Sequence, residues 1–279
     1  MGFCGSSGQV RAARAALHLW EEPWISGVRG SGTVFFSGCT LRCCYCQNYQ
    51  ISQEHFGKEL EVGELADVFL RLQEQGAHNI NLVTATQFLP WILLALDQVR
   101  HRLRIPVVYN SGGYERVEIV KSLADYVDIW LPDLKYFDPE LSSRYSGAPD
   151  YFVAASQAIG QMILQTGKPV LDTNHPYTLM TRGVILRHMV LPGHKEDSLR
   201  LLHWVADHLP RGQYFISLLS QYTPSSRSRE YPELNRRVTT YEYQKVVDTA
   251  LKLGLDQGFM QEKSSAREEY TPPFDLEGI

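Results

Sequence analysis

The chain has 279 residues, 44% of them hydrophobic and 11% aromatic, enough apolar material for one large core. A formal net charge of −4 removes the electrostatic basis for nucleic-acid binding, and apolar runs such as Pro90 to Leu96 fall far short of the roughly 18 residues a membrane span needs. Five cysteines, four of them between residues 39 and 46, form no disulfide framework and point to a reducing, cytoplasmic setting.

In chain order, the first hexapeptide, Met1-Gly2-Phe3-Cys4-Gly5-Ser6, satisfies the M-G-x-x-x-S acylation pattern. So short a pattern arises by chance, and an ordinary start is the expectation, with residues 1–32 an N-terminal extension packing on the body. Residues 33–261 form one core. Within it, Thr33 to Phe36, Asn79 to Thr84, Val107 to Asn110, Val127 to Leu131, Val184 to Val190 and Tyr214 to Leu219 read as buried parallel strands. Helices fill the gaps: Leu65, Val68, Phe69 and Leu72 before Gly76; Ile92, Leu96, Val99 and Leu103 after Pro90; Val117 and Val120. Ile159, Met162 and Ile163, then Leu199, Leu202, Val205 and Leu209, then Tyr243, Val246, Val247 and Ala250 complete the rhythm. Strand then helix, repeated, predicts an α/β fold with right-handed crossovers, and both an open sheet and a barrel satisfy it. The tail from Glu262 to Ile279 reads as a surface extension, with Tyr270, Pro272, Pro273 and Phe274 able to dock.

After the first strand, Cys39, Cys43 and Cys46 stand in C-x3-C-x2-C spacing. Three thiolates on one short loop fit a 4Fe-4S cluster with one iron left open for chemistry. A closed zinc site is the competing reading, with Cys44 or His55 as fourth ligand, although Cys44 would have to turn back through the loop. Unliganded core cysteines are the third. Beyond three ligands only Cys4 and Cys44 remain, too few to hold a second cluster through thiolates.

Polar residues recur where the strands end: Thr84-Ala85-Thr86-Gln87, Asn110-Ser111-Gly112-Gly113, Asp133-Leu134-Lys135, and Arg187 within the fifth strand. Each has an ordinary reading, since Asn-Ser-Gly-Gly is often only a turn, and Asp133, Lys135 and Arg187 can be solvated partners of surface charges. Together with the cysteine loop they line a pocket. His175, His188 and His194, beside prolines and glycines, read as loop or core residues and stay outside the site.

With Tyr45 as the aromatic of C-x3-C-x-aromatic-C, the loop resembles that of the radical S-adenosylmethionine enzymes. The segments Gly30-Ser31-Gly32-Thr33-Val34-Phe35-Phe36, Leu131-Pro132-Asp133-Leu134-Lys135 and Arg187-His188-Met189-Val190-Leu191-Pro192-Gly193 resemble iron-sulfur proteins similar to pyruvate formate-lyase-activating enzyme. The resemblance implies a partial (β/α)6 barrel, a 4Fe-4S cluster on Cys39, Cys43 and Cys46, and S-adenosylmethionine on the open iron, cleaved by one electron to a 5'-deoxyadenosyl radical. It implies that Tyr45, Asp133 and Lys135 contact that cofactor, that Asn110 and Ser111 meet its ribose, and that Arg187 approaches its carboxylate. Where the family shows Gly-Gly-Glu, this chain has Thr84-Ala85-Thr86, so either the hydroxyls of Thr84 and Thr86 and backbone carbonyls hold the ammonium instead, or its binding is weaker. The implied partners are a protein substrate, a glycyl-radical enzyme or another peptide, and a flavodoxin or ferredoxin-type electron donor. A radical modification of a metabolite, an electron-transfer protein and a zinc-binding protein are the alternatives.

Overall fold

Apolar runs this continuous leave no face for water, so each becomes a strand covered on both sides. The computed structural model of the protein describes residues 4–6, 8–174, 176–224, 227–261 and 271–279. Met1 to Phe3 of the acylation pattern, His175 and Tyr270 lie outside them. The chain begins with β1 (Val10–His18), α1 (Pro23–Ser26), β2 (Ser31–Phe36), α2 (Tyr49–Ser52), β3 (Lys58–Leu60) and α3 (Val62–Glu74). It continues through β4 (Ile80–Val83), α4 (Leu89–Val99), β5 (Val107–Ser111), α5 (Val117–Ser122), β6 (Ile129–Pro132), α6 (Pro139–Ser146) and α7 (Tyr151–Thr166). The last elements are β7 (Val170–Asp172), β8 (Leu179–Met189), α8 (Lys195–His208), β9 (Phe215–Leu219), α9 (Thr240–Lys252) and β10 (Gly258–Met260). Among the described residues no helix is long and apolar enough to cross a membrane.

The strands are ordered β10-β9-β8-β6-β5-β4-β2-β1-β3, with β7 paired to β8. From β10 to β2 all neighbours are parallel. The six predicted strands all lie in this stretch, while β1, β3 and β7 run antiparallel to their partners. The ends of the order, β10 and β3, do not pair with each other among the described residues, so the sheet is the partial barrel expected, open at one side.

Alternation along each strand sorts side chains between two cores. Val34, Phe36, Tyr109, Trp130, Val184 and Leu186 pack outward under the helices. Their sequence neighbours Val108, Ile129, Leu131 and Ile185 face inward, where Ile25 of α1 joins them. The β1–β2 link thus enters the barrel rather than lying on its outside, and Asn79 Nδ2 donates to the Ile25 carbonyl at 2.8 Å to hold it there. The C-terminal residues dock on β1: Leu276 N–H donates to Ala13 O at 3.1 Å, Ala15 N–H to Glu277 O at 2.8 Å. Phe274 meets Phe35 edge-on at 5.5 Å.

A helix absent from the periodic pattern matters most for the site. The Asp138 carboxylate accepts the N–H of Glu140 at 2.8 Å, Pro139 occupies the first turn, and Gly147 at φ 66° ends α6. Asp197 of α8 accepts the N–H groups of Phe137 and Asp138, at 3.0 and 2.9 Å, and so fixes the helix start.

Candidate active site at the strand ends

The carboxyl ends of the parallel strands open into a cavity of about 790 Å³. Cys39, Cys43 and Cys46 line one wall. Their loop is pinned at its entry by Gln87, whose Nε2 donates to Ser37 O, Gly38 O and Thr84 O at 2.9, 3.1 and 2.8 Å. Gly38 holds φ 83°, and a Cβ there would meet Ser6 Oγ at 2.4 Å, so the tight turn before Cys39 requires glycine. At the exit, the last turn of α6 takes over: Arg42 N–H donates to Ser146 O at 3.0 Å and Cys44 N–H to Tyr145 O at 2.8 Å. These bonds turn alternate side chains toward and away from the cavity. Cys44 is buried but lines no part of it, and neither does His55.

Three cysteine thiols on one loop are the donor chemistry that an iron-sulfur cluster uses. Burial first, then Cys43 and Cys46, push the Cys39 thiol up to about 12, and burial also raises Cys43 and Cys46. A metal held by these thiols would have to displace their protons.

The facing wall is charged. Arg187 donates through Nε to Asp133 Oδ1 at 2.9 Å, through Nη2 to Asn110 Oδ1 at 2.7 Å, and through Nη1 to Glu21 Oε2 at 3.4 Å. Lys135 Nζ donates to Asp133 Oδ2 at 2.6 Å, and Asn110 Nδ2 to Glu21 Oε1 at 3.0 Å. Burial alone would raise the Asp133 carboxyl, but Arg187 and Lys135 outweigh it and hold the group below its ordinary value. Part of the Arg187 fork is thus already committed to the protein.

Of the expected contacts, Tyr45, Thr84, Asn110, Ser111, Asp133, Lys135 and Arg187 all line the cavity. Thr86 does not. Its Oγ1 donates to Glu115 Oε1 at 2.7 Å and pairs with the Tyr109 hydroxyl at 2.9 Å, because a buried carboxyl competes for every nearby donor. Thr84 keeps its place with a strained φ of 58°, its N–H donating to Asn110 O at 2.9 Å. His188 is structural, bonded to Leu134 O at 2.7 Å and Ser198 Oγ at 2.8 Å. His194 pairs through Nε2 with the Tyr145 hydroxyl at 2.8 Å, off the cavity.

Sequence reasoning missed Glu21 and Glu22, both on the cavity wall. Glu22 is 8% exposed, accepts Ser217 Oγ–H at 3.0 Å, and burial pushes its carboxyl to about 7. The one available signal was a pair of adjacent acids between Trp20 and Pro23, which reads equally as a solvated helix start.

The family model described as Radical SAM superfamily matches residues 33–223. An uncharacterized protein of Methanocaldococcus jannaschii is 30% identical over 250 residues, 86% of this chain and 67% of that protein. The pyruvate formate-lyase-activating enzyme of Clostridium pasteurianum is 32% identical over 158 residues, 52% of this chain and 62% of its own. Among solved structures, Streptococcus suis SuiB bound to S-adenosylmethionine is similar at TM-score 0.52 and 11% identity, over 80% of this chain and 48% of its own. Native anSMEcpe with bound AdoMet is similar at TM-score 0.52 and 12% identity, over 80% of this chain and 61% of that one. The chain spans about half the length of these structures, which at such identities share its fold. With the family match running from within β2 to just beyond β9, across the cysteine loop and the parallel strand ends, the chain belongs to the radical SAM superfamily.

Proposed function

We propose that this protein holds a 4Fe-4S cluster through Cys39, Cys43 and Cys46, cleaves S-adenosylmethionine reductively, and takes a hydrogen atom from a protein substrate, activating a glycyl-radical enzyme. The observation that carries the reading is one cavity with three thiols on one wall and Asp133, Lys135 and Arg187 on the other. A cluster held by Cys39, Cys43 and Cys46 would supply one electron, taken from a flavodoxin or ferredoxin-type donor, for the cleavage of S-adenosylmethionine to methionine and a 5'-deoxyadenosyl radical able to take one hydrogen atom from a C–H bond. The chain's own residues orient and exclude water. Lys135, between Asp133 and the Cys43 side, presents an ammonium to the amino-acid carboxylate, and the free part of the Arg187 fork backs it. Thr84 faces the ammonium in place of a carboxylate, and Asn110 with Ser111 stands where a ribose would lie. A cavity of about 790 Å³ lies within the range of roughly 300–1,000 Å³ that ligands fill.

The likeness to pyruvate formate-lyase-activating enzyme supports the glycyl-radical reading. That likeness covers 52% of the chain, which leaves a second reading open, in which another peptide or a metabolite is modified. Anaerobic protein reconstituted with iron and sulfide is mixed with reductant, S-adenosylmethionine and a candidate glycyl-radical enzyme. Faster formation of 5'-deoxyadenosine and a persistent carbon-centred radical on the partner are expected. A cross-linked, methylated or rearranged product without a lasting radical selects the second reading, and no cleavage at all removes both.

A further inference from the structure

Behind the cysteine wall, four buried side chains form a line of hydrogen bonds. The Tyr45 hydroxyl lies 2.5 Å from that of Tyr136, which lies 2.7 Å from Ser146 Oγ, which donates to Cys43 Sγ at 3.0 Å. Exposure falls from 8% at Cys43 and 5% at Tyr45 to 1% at Tyr136 and 0% at Ser146, so the hydroxyls turn to one another rather than to bulk water. Among the described residues, neither Tyr45 nor Ser146 has another hydrogen-bond partner through its hydroxyl.

Each hydroxyl owns a single proton. A ligating cysteine is a thiolate and can only accept, so the Ser146 proton is fixed on sulfur. Ser146 oxygen must then accept from Tyr136, and Tyr136 oxygen from Tyr45. All three O–H dipoles therefore point the same way, toward Cys43, and each polarises the next. The other two sulfurs have weaker company: Cys39 accepts Leu41 N–H at 3.4 Å, and Cys46 lies 3.3 Å from Ser52 Oγ.

We propose that Tyr45, Tyr136 and Ser146 are positioning residues that form a one-way hydroxyl chain onto Cys43 and make a cluster held there easier to reduce. The inference rests on the proposed ligation by Cys39, Cys43 and Cys46. Hydrogen bonds to the sulfurs are among the factors that set a cluster's potential, because a donor dipole stabilises the more negative, reduced state. Tyr45 thus serves twice, its ring on the cavity wall and its hydroxyl at the head of the chain. The line is also rigidly placed, since Ser146 closes α6, whose carbonyls clamp the same loop.

The test is a potentiometric titration of anaerobically reconstituted protein, followed by electron paramagnetic resonance, with iron counted in each variant. Ser146→Ala should keep its iron and shift the reduction equilibrium about three- to tenfold toward the oxidised cluster, tenfold being 59 mV for one electron. Tyr136→Phe, which removes the donor behind Ser146 and leaves the loop untouched, should shift it about twofold, and Tyr45→Phe less. If Ser146→Ala loses iron, the Tyr136→Phe shift decides alone. Intact iron with unmoved potential in the hydroxyl variants overturns the inference while leaving the ligation standing. Failure of the unaltered protein to bind iron overturns both.

Discussion

The two walls of the cavity are built in opposite ways. The cysteine wall comes from eight consecutive residues, of which the charged Arg42 does not line the cavity, and is shaped by hydrogen bonds to its backbone from the Gln87 side chain and from α6. The charged wall gathers Glu21, Asn110, Asp133, Lys135 and Arg187 from the β1–α1 link, β5, the turn after β6, and β8, joined by side-chain bonds and by the backbone bonds from Asp133 N–H to Ser111 O and from Leu134 N–H to Arg187 O. A local motif can hold a metal by spacing. A zwitterionic ligand needs separated charges of both signs, which only tertiary structure delivers.

The sharpest way to break this contrast is at the local wall. Alanine at Cys39, Cys43 or Cys46 should abolish the brown colour and the roughly four irons per chain expected of a 4Fe-4S cluster. Alanine at Cys44 should leave both, since its side chain faces away from the cavity. Equal loss in the Cys44 variant, by iron assay and absorption, would show that the loop selects its ligands differently.

Next in size is an effect behind the charged wall. Glu115 is 5% exposed, its Oε2 has no hydrogen-bond partner among the described residues, and burial pushes its carboxyl to about 7 from an ordinary 4.5. The folded state thus binds the proton more tightly than the unfolded chain. The stabilising contribution is complete below about pH 4.5 and is lost as pH rises through 7, amounting to about 3 kcal/mol. Glu115→Gln keeps an acceptor for Thr86 without the charge. Its melting temperature should match the parent near pH 5 and exceed it at pH 8, with a flatter slope between. Glu22, also raised to about 7 by burial, leaves some slope in place. An unchanged slope would mean that Glu115 stays ionised.

The same division explains what could be read beforehand. Parallel strands buried on both faces announce themselves as apolar runs, and the cysteine spacing is local. β1, with the sequence VRAARAALH, is rich in alanine and becomes a strand only because β2 and β3 pair with it. Helix α6 holds three serines in eight residues and no apolar stripe, although Asp138, Pro139 and Gly147 were legible as its ends. Thr86 was placed by strand position alone. Nothing in the sequence shows that Glu115, 29 residues later, takes its hydroxyl. Glu21 reaches Arg187 across 166 positions, a separation no periodicity spans.

Arg187→Lys probes the distributed wall most finely. An ammonium can keep the bond to Asp133 but has no planar fork to reach Asn110 and Glu21 as well. Asn110 then loses the partner that fixes its carbonyl at 2.7 Å, and Glu21 retains only the Asn110 amide. Charge is conserved and the iron ligands are untouched, so iron content should not change. S-adenosylmethionine affinity, read by equilibrium binding to the reconstituted protein, should fall about tenfold, the equivalent of ~1.4 kcal/mol and close to the value of one hydrogen bond to a charged group. Unchanged affinity with a lower melting temperature would recast Arg187 as a strut between Asp133 and Glu21. The cofactor's carboxylate would then fall to Lys135 alone, and the charged wall would be a scaffold with a single binding residue rather than a distributed site.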